Sequence, residues 1–109
     1  MKPFHHTLAH ALSLMPGPAG DHYAVLLDHG TLQVGLYAPI GIDDQTPHTR
    51  DEVYVVVRGS GWFLNGLDRV GFGPGDVLFV PAYQEHRFED FTEDFAAWVF
   101  FYGPEGGER

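Results

Sequence analysis

The 109-residue chain has no cysteine and few basic residues. The absence of cysteine excludes disulfides, thiolate metal ligands and cysteine nucleophiles. Six Lys and Arg against fifteen Asp and Glu give a formal net charge of −9, which disfavours nucleic acid as a partner. No apolar run approaches the ~20 residues of a membrane span. The apolar stretch 8–15 is short and interrupted for a signal peptide, so we expect a cytoplasmic protein.

What the chain does contain is typical of a small β protein. It is 44% hydrophobic and 15% aromatic, with fourteen Gly and eight Pro. Apolar residues in 4–15 share one helical face, and about eight or nine short strands separated by turns follow. This pattern predicts an all-β fold, an antiparallel β-sandwich or barrel with a short N-terminal helix. We expect a single domain over 1–109, with the helix or arm in 1–20 and a flexible polar tail over 103–109.

Three polar residues flank the clearest strands. Strand alternation places Glu52 on one face with Tyr54 and Val56, and three valines occupy the other face, so the strand is predicted to be buried on both sides. A buried carboxylate needs a partner, and His48 and His86 are the candidates. Two imidazoles and one carboxylate are a sufficient protein contribution to an open transition-metal site.

The same residues carry a resemblance to the cupin superfamily. The first cupin motif is matched by Gly41, by His48, by Glu52 after three intervening residues and by Gly59 after six more. The second motif is matched in order by Gly75, Pro81, Tyr83, His86 and Asp90. The resemblance covers 41–90 directly. It implies a jelly-roll-like conical barrel, or sandwich, that holds a divalent transition metal (Fe, Mn, Ni, Co or Zn).

The chain departs from the motifs at three positions. Thr46 stands where the first motif has a histidine, Tyr83 where the second has glycine, and Asp90 where it has asparagine. The resemblance therefore implies the metal ligands His48, Glu52 and His86. Gln45 is a further candidate through its amide oxygen, although its offset differs from that of the motif, and Thr46 is a poor ligand. Glu52 is also the candidate catalytic base.

The function stays open between three classes. The first is a metal-dependent enzyme, dioxygenase-like or isomerase-like, that acts on a small organic molecule; the lack of a second acid–base pair weakens the isomerase mechanism. The second is a module that binds a small molecule or metal without turnover. The third is a structural dimer. A homodimer is expected in any case, because the outward valines of the central strand need cover.

The remaining polar and aromatic residues receive simpler interpretations. By alternation from Glu52 and His86, we expect Tyr54 and Phe88 to form the wall of the substrate pocket. Asp51 is expected to be a solvated loop carboxylate, and so are the neighbours Asp43 and Asp44. The histidines of the N-terminal third are expected to lie on the surface.

Overall fold

The computed structural model describes residues 2–109 and contains one helix and eight strands in that range. In chain order these are α1 (Leu8–Ser13), β1 (Tyr23–His29), β2 (Leu32–Tyr37), β3 (Asp51–Arg58), β4 (Gly61–Asn65), β5 (Asp68–Phe72), β6 (Val77–Val80), β7 (His86–Glu89) and β8 (Ala96–Tyr102). No helix in the described residues combines the length and apolarity that a bilayer crossing requires.

The strands form two antiparallel sheets. Five strands pair in the order β1-β2-β8-β3-β6, and three pair in the order β5-β4-β7. The all-β sandwich predicted from the sequence is confirmed, while the two sheets are not closed into a continuous barrel. β3 lies between β8 and β6, so Glu52 faces Phe101 on one side and Val80 on the other.

The main core fills the space between the sheets. Tyr54 and Val56 on the inner face of β3 are each 1% exposed, as are Phe63 of β4 and Phe88 of β7. The outer valines of β3 are half-buried, so this strand is covered fully on one face only. Burial of these aromatic residues supplies the main driving force that holds the two sheets together.

The N-terminal helix is shorter than the 4–15 expected from apolar periodicity. The Thr7 side chain caps α1 by accepting a hydrogen bond from the His10 backbone N–H, which fixes the start of the helix at Leu8. Ala11 is completely buried and belongs to a second cluster with Leu36 and Ala96. α1 therefore covers part of the outer face of the five-stranded sheet.

The segment after β8 is attached to the rest of the chain, which differs from the flexible tail expected for 103–109. The Gly106 N–H donates to the Thr49 carbonyl at 2.7 Å, and the Glu108 N–H donates to Asp51 Oδ2 at 2.8 Å. Asp51 Oδ1 also accepts from the Ala82 N–H at 2.9 Å. The interpretation of Asp51 as a solvated carboxylate was wrong: its side chain joins the tail to the β6–β7 connection and is buried, at 5% exposure.

Two departures from the second motif lie at positions with left-handed backbone. Tyr83 has φ of 67° and Asp90 has φ of 48°, at the positions where the motif has glycine and asparagine, the residues that tolerate this region best. The Tyr83 N–H donates to the His48 carbonyl at 2.6 Å. The strained turn therefore joins the β6–β7 connection to the segment that carries His48.

Candidate functional site

The site is assembled from both sheets. Glu52 is the second residue of β3 and points inward, where it is 1% exposed. His86 is the first residue of β7 in the other sheet and is 2% exposed. His48 precedes β3 and is half-buried. The fold thus brings together the three residues that the sequence predicted, and their donor atoms lie within 4.8 Å of one another.

The distances among these donor atoms suit a shared cation. Glu52 Oε1 lies 3.2 Å from His86 Nε2 and 3.8 Å from His48 Nε2. Two N or O atoms bound at about 2.1 Å to one ion stand about 3.0–3.4 Å apart at neighbouring positions. One of the observed separations is within that range and the other is slightly longer, so small side-chain movements would complete the fit.

His86 is oriented by its second ring nitrogen. Nδ1 lies 2.8 Å from the Gln84 carbonyl, which can only accept a hydrogen bond, so Nδ1 carries the hydrogen in the neutral ring. Nε2 then presents its lone pair to Glu52. A backbone carbonyl that fixes the tautomer in this way is the usual support of a metal-binding histidine.

The two histidines differ in their titration. Burial lowers the pKa of His86, but the adjacent Glu52 carboxylate, the hydrogen bond to the Gln84 carbonyl and the charge of Asp43 outweigh burial and raise its pKa above the ordinary value of 6.5. Burial lowers the pKa of His48, and the charge of Glu52 only partly opposes this effect. His48 is therefore held in the neutral form in which an imidazole binds metal.

Gln45 supplies a fourth donor to the group. Its Oε1 lies 3.0 Å from His48 Nε2 and 3.1 Å from His86 Nε2, and it accepts a hydrogen bond from the Tyr54 hydroxyl at 3.1 Å. Thr46 is exposed, away from the group. Of the two residues that the sequence left open, the structure therefore brings Gln45 to the histidines.

The candidate metal ligands Gln45, Glu52 and His86 present more hydrogen-bond acceptors than donors to one another. Glu52 Oε1 is fully buried and accepts no hydrogen bond of acceptable geometry, although His86 Nε2 is near. The lone pair of neutral His86, Gln45 Oε1 and Glu52 Oε1 all face one another. An isolated buried carboxylate oxygen is costly unless it is paired with a proton or a cation. The residues present therefore fit a divalent metal ion.

A cavity of about 160 Å³ lies beside the donor group. Besides Gln45, His48 and Glu52, its wall is formed by five residues of the five-stranded sheet: Tyr23, Tyr37, Tyr54, Val99 and Phe101. Tyr54 lines the cavity as expected, but Phe88 does not. The Phe88 ring lies behind Tyr54, 4.9 Å from it, and packs in the core.

The tyrosine hydroxyl groups on the wall act as hydrogen-bond donors. Burial, together with the negative charge of Glu52, raises the pKa of Tyr23 and of Tyr54 above the ordinary value of 10.0. Burial and the hydrogen bond to Asp43 raise the pKa of Tyr37 as well. All three phenols stay protonated at neutral pH. Tyr23 donates to Gln33 Oε1 at 3.0 Å, and Tyr37 donates to Asp43 Oδ1 at 2.5 Å.

Asp43 is a residue that sequence reasoning misjudged. It was expected to be solvated, but it is 4% exposed and its carboxylate accepts four hydrogen bonds from the chain. Its neighbour Asp44 is exposed, as expected. The consecutive acidic pair gave no sequence signal that distinguishes the two, since the Phe88 N–H of β7, which donates to Asp43, is distant in the chain.

Comparisons with known proteins found a sequence relative and solved structures with a similar fold. No family model matches the chain. A protein of Streptomyces coelicolor described as uncharacterized is 38% identical over 85 residues, which cover 76% of this chain and 81% of that protein. A solved structure of unknown function from Rhizobium leguminosarum has a TM-score of 0.71 at 24% identity, with 94% and 98% of the two chains covered.

A cupin superfamily protein from Desulfitobacterium hafniense has a TM-score of 0.61 at 18% identity, with 73% of this chain and 74% of that chain covered. At these identities the two solved structures establish the fold alone.

Proposed function

We propose that the chain, which has the fold of cupin superfamily proteins, is a metal-dependent enzyme that acts on a small organic molecule in its cavity. His48, Glu52, His86 and Gln45 would hold a divalent transition metal: Fe, Mn, Ni, Co or Zn. The observation that carries the proposal is the buried Glu52 Oε1, which has no hydrogen-bond partner and lies beside two imidazole Nε2 atoms.

The chemistry of the site favours a dioxygenase-like reaction over an isomerisation. A bound metal would supply a Lewis acid and a template for a chelating substrate. Glu52 is the one carboxylate on the cavity wall within residues 2–109, and it is the candidate base. The phenols of Tyr23 and Tyr37 already donate to other side chains. A second acid–base group, which most isomerase mechanisms need, is thus missing from the described wall.

The size of the cavity restricts the substrate. A cavity of about 160 Å³ is close to the ~150 Å³ that accommodates one benzene ring in an apolar protein interior. Three tyrosines, one phenylalanine and one valine make its wall aromatic and largely apolar. These features fit a monocyclic aromatic compound or a short diketone with two oxygens that can chelate one metal ion.

The experiment that tests this function is oxygen uptake by metal-loaded protein. Catechol and a short β-diketone are compared with a flavonol, which exceeds the cavity. Uptake with the small compounds and none with the flavonol supports the proposal. Saturable binding without uptake favours the alternative, a non-catalytic cupin module that binds a small molecule or metal.

The raised pKa of His86 predicts how metal binding depends on pH. A metal and a proton compete for Nε2, so affinity for Zn²⁺ is expected to fall about tenfold per pH unit once the pH drops below this pKa, which lies above 6.5. The stability of the metal-free protein depends on pH in the opposite direction from the metal affinity. The contact of protonated His86 with Glu52 contributes stability that is complete below pH 6.5 and lost as pH rises through the raised pKa.

Calorimetric Zn²⁺ titrations between about pH 5.5 and 8 measure this competition, with thermal unfolding of metal-free protein over the same range. An affinity that does not change with pH would contradict His86 as a ligand.

The proposed partner besides the small molecule is a second copy of the chain. On the outer face of the five-stranded sheet, Val77 and Phe79 of β6 are 66% and 49% exposed and pair with Val55 and Val53 of β3. The four residues form an uncharged apolar patch. At a net charge of −9, two copies repel each other except through such a surface.

Light scattering is therefore expected to give twice the 12.1 kDa of one chain, and Phe79→Lys is expected to give monomers. A wild-type monomer at about 100 μM would contradict the dimer.

A further inference from the structure

Asp43 directs a buried carboxylate at the side chain of Gln45. Asp43 Oδ2 accepts from Gln45 Nε2 at 2.7 Å and from the Phe88 N–H at 2.8 Å. Oδ1 accepts from the Tyr37 hydroxyl at 2.5 Å and from the Gln45 N–H at 3.2 Å. The carboxylate thus connects the loop that carries Gln45 to β2 and β7.

These contacts determine which end of the Gln45 amide faces the histidines. An amide can rotate by half a turn and exchange its oxygen for its NH₂ group at almost no steric cost, because the two have similar size. A carboxylate accepts hydrogen bonds and donates none, so the NH₂ group must face Asp43. Oε1 is then turned to His48 Nε2 and His86 Nε2. The reversed amide would place Oε1 against the carboxylate and present the NH₂ group, which cannot bind metal, to the site.

Asp43 also sets the distance between Gln45 and His86. Phe88 follows His86 by two residues on β7, and its N–H is held by the same Oδ2 that holds Gln45 Nε2. One oxygen atom therefore joins the amide of Gln45 to the strand that carries His86. This arrangement explains how a loop residue one position away from the motif histidine reaches the donor group.

We propose that Asp43 is a positioning residue that makes Gln45 an oxygen ligand of the metal. The inference rests on the proposed metal site and goes beyond it, because it assigns a role to a residue that does not contact the metal. Asp43 also holds the Phe88 N–H of the strand that carries His86, but the proposed role runs through the Gln45 amide. The part of its effect on metal affinity that passes through Gln45 must therefore disappear when Gln45 is absent.

A double-mutant cycle on metal affinity tests this dependence. Co²⁺ is titrated into wild type, Asp43→Asn, Gln45→Ala and the double variant, with affinity measured by calorimetry and the ligand field by the visible absorption of Co²⁺. Asp43→Asn is expected to weaken affinity by about 10- to 100-fold and to change the Co²⁺ spectrum in the same direction as Gln45→Ala. In the Gln45→Ala background the same substitution is expected to lose most of this effect on affinity. Asp44→Asn removes the same charge from an exposed neighbour and is expected to leave affinity unchanged.

Three results would overturn the inference, and only the first of them also overturns the metal site. Wild type that binds no Co²⁺ overturns the proposed metal site and the role of Asp43 with it. Wild type that binds Co²⁺ while Asp43→Asn binds equally well overturns the role of Asp43 alone. Effects that add in the double variant show that Asp43 acts on stability or charge and not through Gln45.

A measurement on the wild-type chain covers the case in which Asp43→Asn does not fold. In ¹³C/¹⁵N NMR, the Gln45 side-chain NH₂ protons are expected to exchange slowly with solvent, because Asp43 holds them. Addition of Zn²⁺ is expected to shift the Gln45 carbonyl carbon while the NH₂ protons stay protected. Fast-exchanging NH₂ protons, or Zn²⁺ binding without a shift of that carbon, would contradict the inference.

Discussion

Replacing Glu52 by glutamine is expected to lower the affinity for divalent metal more than about 100-fold. At a pH above the raised pKa of His86, where that ring is neutral, it is also expected to stabilise the metal-free protein. Loss of an anionic ligand exceeds the 10- to 100-fold effects typical of residues that only support a ligand. The substitution stabilises the metal-free protein because Glu52 Oε1 is buried without a hydrogen-bond partner. The NH₂ group of glutamine would donate to Gln45 Oε1 or to the lone pair of His86. Relief of one such unsatisfied group is worth about 1–3 kcal/mol.

The opposite signs of these two effects distinguish a metal site from a structural ion pair. If Glu52 served only to pair with the histidines, its neutralisation would destabilise the fold. Calorimetric Zn²⁺ titration and urea unfolding of metal-free protein measure the two quantities. Glu93→Gln makes the same chemical change on the surface and is expected to alter neither. A destabilised Glu52→Gln variant that binds Zn²⁺ as wild type does would contradict the site.

Replacing His48 by alanine is expected to abolish metal binding with little change in stability. The imidazole directs Nε2 toward Glu52 and Gln45, so its removal takes away one of the two nitrogen ligands. Its side chain is 33% exposed, whereas that of His86 is completely buried, so truncation at 48 leaves no closed cavity. We expect a loss of more than about 100-fold in affinity and less than about 1 kcal/mol in the free energy of unfolding.

The exposed His29 provides the matched control. His29→Ala removes the same side chain from the surface, and its metal affinity is expected to equal that of wild type. Equilibrium dialysis measures the Zn²⁺ affinity of wild type, His48→Ala and His29→Ala. Equal binding by His48→Ala and wild type would show that His48 is not a ligand.

The part of the site that follows from local sequence was predictable. Alternation along β3 places Glu52 inward, and the spacing of the two motifs identifies His48 and His86 as its neighbours. These inferences need only the period of a strand and a family resemblance. The structure agrees with them because each of the three residues lies at the start of a strand or just before it.

The part that depends on loops and on sheet order was not predictable. Gln45 reaches the histidines because Asp43 turns its amide, and Asp43 is buried because β7 offers it the Phe88 N–H. Tyr23 and Tyr37 line the cavity because β2 pairs with β8 and β8 with β3, an order that alternation within one strand cannot reveal. The two-residue alternation along β7 does place Phe88 inward like His86. It does not show that Tyr54 lies between Phe88 and the cavity.

The metal content of the protein, purified without chelator, tests the central claim most directly. Elemental analysis by mass spectrometry is applied to wild type and to Glu52→Gln prepared in parallel. We predict about one transition-metal ion per wild-type chain and almost none in the variant. Wild-type protein that carries no metal, and takes up none from micromolar Zn²⁺, Mn²⁺, Co²⁺, Ni²⁺ or Fe²⁺, would contradict the claim.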